Sequence, residues 1–382
     1  MDLPVPDPAL PYLADVTPAL LACLGVPEFA GAGDRLGLRR QAPATALLLI
    51  DGLGAELLDA HAADAPVLAG MRGRTLQVGF PSTTVAGLAA VGTGCRSGAH
   101  GMVGMTCRLG EPGEVVNVLR WRGQTSGADL RGTLVPEEVQ PMPTALERAT
   151  AAGIAVAVVS GAEFADSGLT RAVLRGGRYV GVLGLGDLAA NVRAALSGGG
   201  FCYGYHGELD LLGHLHGPGS MPWRMQLRQV DRLVESIVEG LPPGSVLAVV
   251  ADHGMVEVGP GDTVDVEADP ALGEGVAAVG GEARARHVYA TPGAVDDVQA
   301  AWRSVLGDRA WVAGRDEAIA AGWFGDTVAD AVRPRIGDVV AAARGSAVLV
   351  RPRAEPLESA LIGQHGSLTS AEQRVPLLLA YG

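Results

Sequence analysis

Lysine is missing from this 382-residue chain, and all 29 of its basic residues are arginine. That absence removes every mechanism that needs an amine side chain: a phosphate-cradling loop lysine, a Schiff-base lysine or a Ser–Lys dyad. Base composition of the gene is enough to produce the bias, and the exclusion holds either way. Cysteine is scarce too. Cys23, Cys95, Cys107 and Cys202 are scattered and form no CxxC pair, which fits neither a disulfide framework nor a zinc ribbon. No basic run occurs and the net charge is −13. Nucleic-acid polymers and anionic membranes, which call for clustered positive charge, are therefore not expected partners. Neither a positively charged leader with an apolar stretch nor an apolar run of bilayer-spanning length is found, so a cytoplasmic, reducing location is expected.

Hydrophobic residues make up 48% of the chain and charged residues 19%, enough for a large α/β core with an inserted subdomain. Thr45–Ile50 is a continuous apolar run of strand length, followed at once by Asp51-Gly52-Leu53-Gly54. It reads as a buried parallel strand ending in a tight turn. Similar runs stand at 154–160, 246–251 and 375–381. Helix-period segments stand at 19–24, 144–152 and 222–241. Alternating strands and helices predict an α/β fold with a largely parallel central sheet and helices on both faces. After Met255 the texture becomes charged and glycine-rich. The expected division is a core of residues 1–255 and 363–382, with a cap of residues 256–362.

Asp51 and Asp252 each follow an apolar strand with glycine close behind, so both carboxylates are expected at the same edge of the sheet, where open α/β folds bind ligands. His253 adjoins Asp252, and the two can converge only if the strand ends and turns, which Gly254 would permit. Phe80-Pro81-Ser82-Thr83-Thr84 leads into a small-residue helical segment through Thr93-Gly94. Its hydroxyls serve either as a plain N-cap or as a nucleophile in the positive field of a helix start. In Asp210-Leu-Leu-Gly-His214 the i, i+4 spacing puts both side chains on one helix face, suited to holding a metal ion. His206 and His216 are close by, and His365 lies between glycines near the cap's return. Three aspartates, three histidines and a threonine are enough for two metal sites of three or four ligands each.

With these motifs in this order, the sequence resembles the type I phosphodiesterase/nucleotide pyrophosphatase family of the alkaline phosphatase superfamily. The resemblance rests on Asp51-Gly52, on Thr84 nine residues before Thr93-Gly94, on Asp210 to Pro218, on Ala251 to Met255 and on Gly363 to Gly366. It implies an alkaline-phosphatase-like core and two divalent ions, zinc first and manganese as the alternative. One ion would be held by Asp210, His214 and His365. The other would be held by Asp51, Asp252, His253 and the oxygen of Thr84, which attacks phosphorus and forms a phosphothreonine. The implied substrate is a small phosphodiester or nucleotide pyrophosphate.

One position departs from the family. Its diesterases carry an asparagine a few residues after a His-Gly, contacting a phosphoryl oxygen, whereas His100-Gly101 leads here to Met105. A thioether donates no hydrogen bond. Either another group takes that role, or the preference shifts toward a monoester, a phosphonate or phosphate transfer by a mutase on the same metals. A non-catalytic metal-binding or ligand-sensing protein is the alternative of another class, and it is disfavoured because no ligand is missing. Trp302, Trp311 and Trp323 in the cap are read as core residues before nucleobase platforms.

Overall fold

The computed structural model describes residues 3–38, 41–110, 113–259 and 261–382. Within it, the apolar run becomes the strand Ala44–Ile50, with every residue buried. It pairs in parallel with Gly200–His206 on one side and Val246–Val250 on the other. A central strand covered on both faces needs apolar side chains on both, so its sequence does not alternate. Val156–Gly161 and Arg178–Val182 continue the parallel sheet beyond Gly200–His206. On the far side, Arg374–Tyr381 runs antiparallel between Val246–Val250 and Arg72–Gln77. These seven strands form the central sheet, the mostly parallel α/β arrangement expected, with one reversed strand.

Helix Met221–Val238 turns Trp223, Leu227, Val230, Val234 and Ile237 inward, an i, i+3/i+4 stripe. Helix Ala145–Ala151 starts at a capping box in which Thr144 accepts from the Glu147 N–H and Glu147 reaches back to Thr144. No helix among the described residues is long and apolar enough to cross a membrane.

Residues beyond Met255 build a four-stranded antiparallel sheet in the order Val276–Glu282, Ala285–Ala290, Val339–Ala343, Ala310–Gly314. Strand alternation divides its two faces. Val339 and Ala341 pack with Trp302 and Leu306 of helix Val295–Leu306, whereas Val340 and Ala342 join the main core. The ends of the segment are tied together where Val256–Glu257 pairs with Gly363–Gln364. Trp302 is fully buried and bonded to the Leu272 carbonyl. Trp323 lies in the main core against Phe80. Trp311 is half-buried with the Arg344 guanidinium over its ring. All three tryptophans therefore pack as core or surface aromatics.

Candidate active site

Three neighbouring parallel strands deliver the acidic ligands. Asp51 follows Ile50 directly, Asp252 follows Val250 by two residues, and Gly200–His206 feeds helix Glu208–His216, which carries Asp210 and His214. Because Arg374–Tyr381 is reversed, the loop before it returns to the same edge with His365. The exit from Arg72–Gln77 brings Phe80 to Thr84 there as well.

The side chains gather in two trios, Asp51/Asp252/His253 and Asp210/His214/His365, the donor atoms of each trio lying within 4.8 Å of one another. In the first, His253 Nε2 is 3.3 Å from Asp51 Oδ1 and 3.7 Å from Asp252 Oδ2. Thr84 Oγ1 stands 3.3 Å from the same nitrogen. In the second, His214 Nε2 is 3.3 Å from Asp210 Oδ2 and 3.2 Å from His365 Nε2. The His253 and His365 rings stack at 3.5 Å and join the trios.

Proton bookkeeping shows what the trios need. Each histidine donates Nδ1–H to a backbone carbonyl: His214 to Gly363, His253 to Gly254 and His365 to Ser82. A carbonyl can only accept, so the Nδ1 tautomer is set and the three Nε2 lone pairs point inward. His214 and His365 thus face each other as two acceptors. Asp51 Oδ1, Asp210 Oδ1 and Asp252 Oδ2 are buried with no hydrogen-bond partner. Buried acceptors without donors call for cations.

The titration behaviour points to the same demand for positive charge, which a proton on His253 Nε2 meets where a cation does not. Burial disfavours a charged His253, yet Asp252 and Asp51 outweigh it and push its pKa up to about 10. Burial, reinforced by Asp51, raises Asp252. Burial and the neighbouring His253 lower His365. Two ligands about 2.0–2.1 Å from a tetrahedral zinc stand about 3.3–3.4 Å apart, close to the shorter contacts here. The residues present fit a pair of divalent cations.

The threonines divide their work. Thr83 is the N-cap of helix Thr84–Thr93, with extended backbone and no side-chain capping bond. Ser82 is committed to the His365 loop, its Oγ donating to the Ser367 carbonyl at 2.8 Å and its N–H to Gly366 at 3.0 Å. Thr84, the first helical residue, is the hydroxyl beside His253. His206 pairs instead with Glu208 and Gln226, His216 is exposed, and neither belongs to a trio.

The sequence profile of the family described as type I phosphodiesterase / nucleotide pyrophosphatase matches residues 45–368. The chain belongs to that family. It is therefore a phosphoric ester hydrolase of the two-metal-ion kind, on an alkaline-phosphatase-like fold. Murine ectonucleotide pyrophosphatase / phosphodiesterase 5 superposes with a TM-score of 0.68 at 16% identity, covering 88% of this chain and 88% of that chain. Phosphonoacetate hydrolase from Sinorhizobium meliloti 1021, in complex with phosphonoformate, gives 0.68 at 22% identity over 88% of this chain and 89% of that chain. The human ectonucleotide enzyme gives 0.62 at 13% over 88% and 87%. At these identities the likeness establishes the fold alone. No curated protein sequence matches the chain.

Gly254 accompanies the expected convergence of Asp252 and His253, and does so through its small size. Its φ is not in the left-handed region; what excludes a side chain is contact, since a Cβ would lie 1.9 Å from the Ala371 carbonyl oxygen. Gly87, unremarkable in the sequence, lets the Thr84 helix rest on Asp252, where a Cβ would come within 2.5 Å of the Asp252 Cβ. Two further residues escaped sequence reasoning. Tyr205, at the end of a strand without a long apolar run, donates to Asp51 Oδ2 at 2.5 Å. Glu282 accepts from the Met105 N–H at 2.8 Å, while its other oxygen is buried without a partner. Its pKa is pushed up to about 8 by burial. An isolated Tyr or Glu carries no motif, and only the fold brings them to the site.

Proposed function

We propose that this enzyme hydrolyses a small phosphodiester or nucleotide pyrophosphate through a phosphothreonine on Thr84. The observation that carries the reading is the placement of Thr84 Oγ1 at a helix start, 3.3 Å from His253 Nε2 and beside inward-pointing acceptors. Asp51, Asp252, His253 and Thr84 would hold one ion, and Asp210, His214 and His365 the other. Zinc is favoured over manganese because three imidazoles and short ligand spacings suit a tetrahedral ion better than an oxygen-rich octahedral one. When bound, the ions supply Lewis-acid charge for the attacking and leaving oxygens.

The Thr84 hydroxyl releases its proton to solvent as its oxygen bonds to phosphorus in line, and the bond to the leaving group breaks, an alcohol oxygen taking up a proton from solvent and a phosphate leaving as the anion. Water then cleaves the Thr84–phosphorus bond and restores the hydroxyl. The helix start contributes a positive field to the phosphoryl oxygens. We assign residues 256–362 as the cap that selects the leaving group. We take the setting to be reducing and cytoplasmic, which Cys95, Cys107 and Cys202 as free thiols support.

A second reading, monoester or phosphonate hydrolysis or a mutase, is favoured by one observation. Met105 stands where diesterases of the family carry asparagine, and its own N–H is engaged by Glu282. Hydrolysis of bis-p-nitrophenyl phosphate beside p-nitrophenyl phosphate, with zinc or manganese and after chelation, separates the readings. The proposal requires a chelator-sensitive preference for the diester; preference for the monoester moves the assignment to the second reading. Thr84→Ala is expected to keep its metal content and to lose turnover by about three orders of magnitude or more. Near-wild-type turnover would remove Thr84 from the mechanism.

A further inference from the structure

A cavity of about 740 Å³ lies among Arg108 to Gly110, Gly113, Tyr289 of the strand Ala285–Ala290 and the segment 330–338. None of the seven candidate site residues lines it. Among the described residues its walls carry four arginines, Arg108, Arg315, Arg333 and Arg335, against two aspartates, Asp330 and Asp338. In a chain of net charge −13, that local excess of positive charge is out of keeping.

Two of the arginines are already neutralised. Arg315 pairs with Asp338 at 2.6 Å, and Arg333 pairs with Asp316. The other two are not. Arg335 spends its guanidinium on the neutral carbonyls of Gly101 and Val139, at 3.0 and 2.8 Å. Arg108 lies over the Tyr289 ring at 4.6 Å, and its Nε is buried with no partner. Asp330 is exposed at the rim and enters no ion pair among the described residues.

Tyr289 ties the backbones of these two arginines together. Its buried phenol accepts from the Arg108 backbone N–H at 2.9 Å and donates to the Arg335 backbone carbonyl at 2.5 Å, which fixes the two backbones beside each other. The guanidinium of Arg335 is oriented by the two carbonyls and that of Arg108 by the Tyr289 ring, so both charges stand at the cavity before any ligand arrives. Keeping guanidinium groups partly desolvated without a counter-charge is costly. Planar guanidinium forks match the oxygens of phosphate or carboxylate. The volume lies within the range of small-molecule sites.

We propose that this cavity is a second binding site, separate from the metal centre, for a small dianionic phosphate, engaged by Arg108 and Arg335. The phosphate comes either as the free ion or as the terminal group of a phosphomonoester, and the two sources share the same recognition chemistry.

The test is calorimetric titration of the metal-loaded chain with inorganic phosphate at low ionic strength, repeated with AMP. Wild type is compared with Arg108→Gln and Arg108→Lys. Among the described residues Arg108 makes no side-chain hydrogen bond to lose, so the fold should tolerate both changes, and melting curves check it. Two classes of phosphate site are expected in wild type. One should weaken by about tenfold or more in Arg108→Gln and less in Arg108→Lys, while diester turnover and its competitive inhibition by phosphate stay unchanged. Loss of an AMP site in the same variant identifies a phosphomonoester ligand; AMP exclusion with phosphate retained identifies the free ion. A single phosphate site, equal in all three proteins, overturns the proposal. A crystal soaked in tungstate gives an independent reading, since anomalous density only at the aspartate and histidine trios would also overturn it.

Discussion

Tyr205 donates to Asp51 Oδ2 and leaves Oδ1 to face His253, so a residue outside the trio decides which carboxylate oxygen is presented. Removing that phenol frees the carboxylate to rotate. Tyr205→Phe is expected to weaken metal binding by about 10–100-fold, measured by competition with a chromophoric chelator, with the fold unchanged in circular dichroism. Glu282 makes a different prediction. Its carboxyl titrates at about 8 instead of 4.5 because burial opposes the charge, with the Met105 N–H, Arg286 and His253 only partly compensating and Glu355 adding to the rise. Between those two pH values the folded chain keeps a proton that the unfolded chain has released, so stability falls as pH rises through that window and levels off above about 8. Glu282→Gln abolishes this slope. In chelator-treated protein, where no cation adds to His253, the variant should melt a few degrees above wild type at pH 8.5, and the gap should close toward pH 5. A constant gap across that range would show that Glu282 is ionised throughout.

At the scale of elements, the loop carrying His365 is held from both sides. Ser82 bonds to it at Gly366 and Ser367. Glu372, just beyond, accepts the Ser367 N–H and a two-pronged bond from Arg284, both partners fully buried. Arg284 belongs to the segment after Met255, so the inserted sheet helps to fix a candidate ligand loop. Arg284→Ala strands a buried carboxylate and is expected to cost about 3–5 kcal/mol, read by chemical denaturation; a loss below about 1 kcal/mol would show that the fork holds nothing. The strands at Ala44–Ile50, Val246–Val250 and Arg374–Tyr381 were legible because burial on both faces writes continuous apolar runs. The seven candidate residues were legible because each sits in a short motif at a strand or helix end. Gly200–His206 was missed because two glycines and two tyrosines interrupt its apolar character. Arg72–Gln77 was missed because its first half is exposed. The hairpin Thr106–Leu109/Glu114–Asn117 was missed because its strands are too short to show a period.

For the whole molecule, the two trios join parts of the chain far apart in sequence, from Asp51 to His365, at one edge of the sheet. Cations bound there would stabilise the folded state alone. Removing them should lower the melting temperature, with a free-energy effect of about 2.7–4.1 kcal/mol for metal at 100–1,000 times its dissociation constant. Scanning calorimetry before and after chelation and after adding zinc back would show it; an unchanged melting curve would argue against ligation by these residues. The reversed strand has a further consequence, for synthesis. Translation delivers Arg72–Gln77 early, but its ladder partner among the described residues, Arg374–Tyr381, emerges only after the inserted sheet has been made. Until then the early strand waits on the ribosome with an open edge, guarded by the exposed charges of Arg72 and Arg74. His365 arrives in the same later stretch, so a nascent chain that lacks it carries neither a closed sheet nor a complete set of candidate ligands, and hydrolysis is withheld until that stretch has been made.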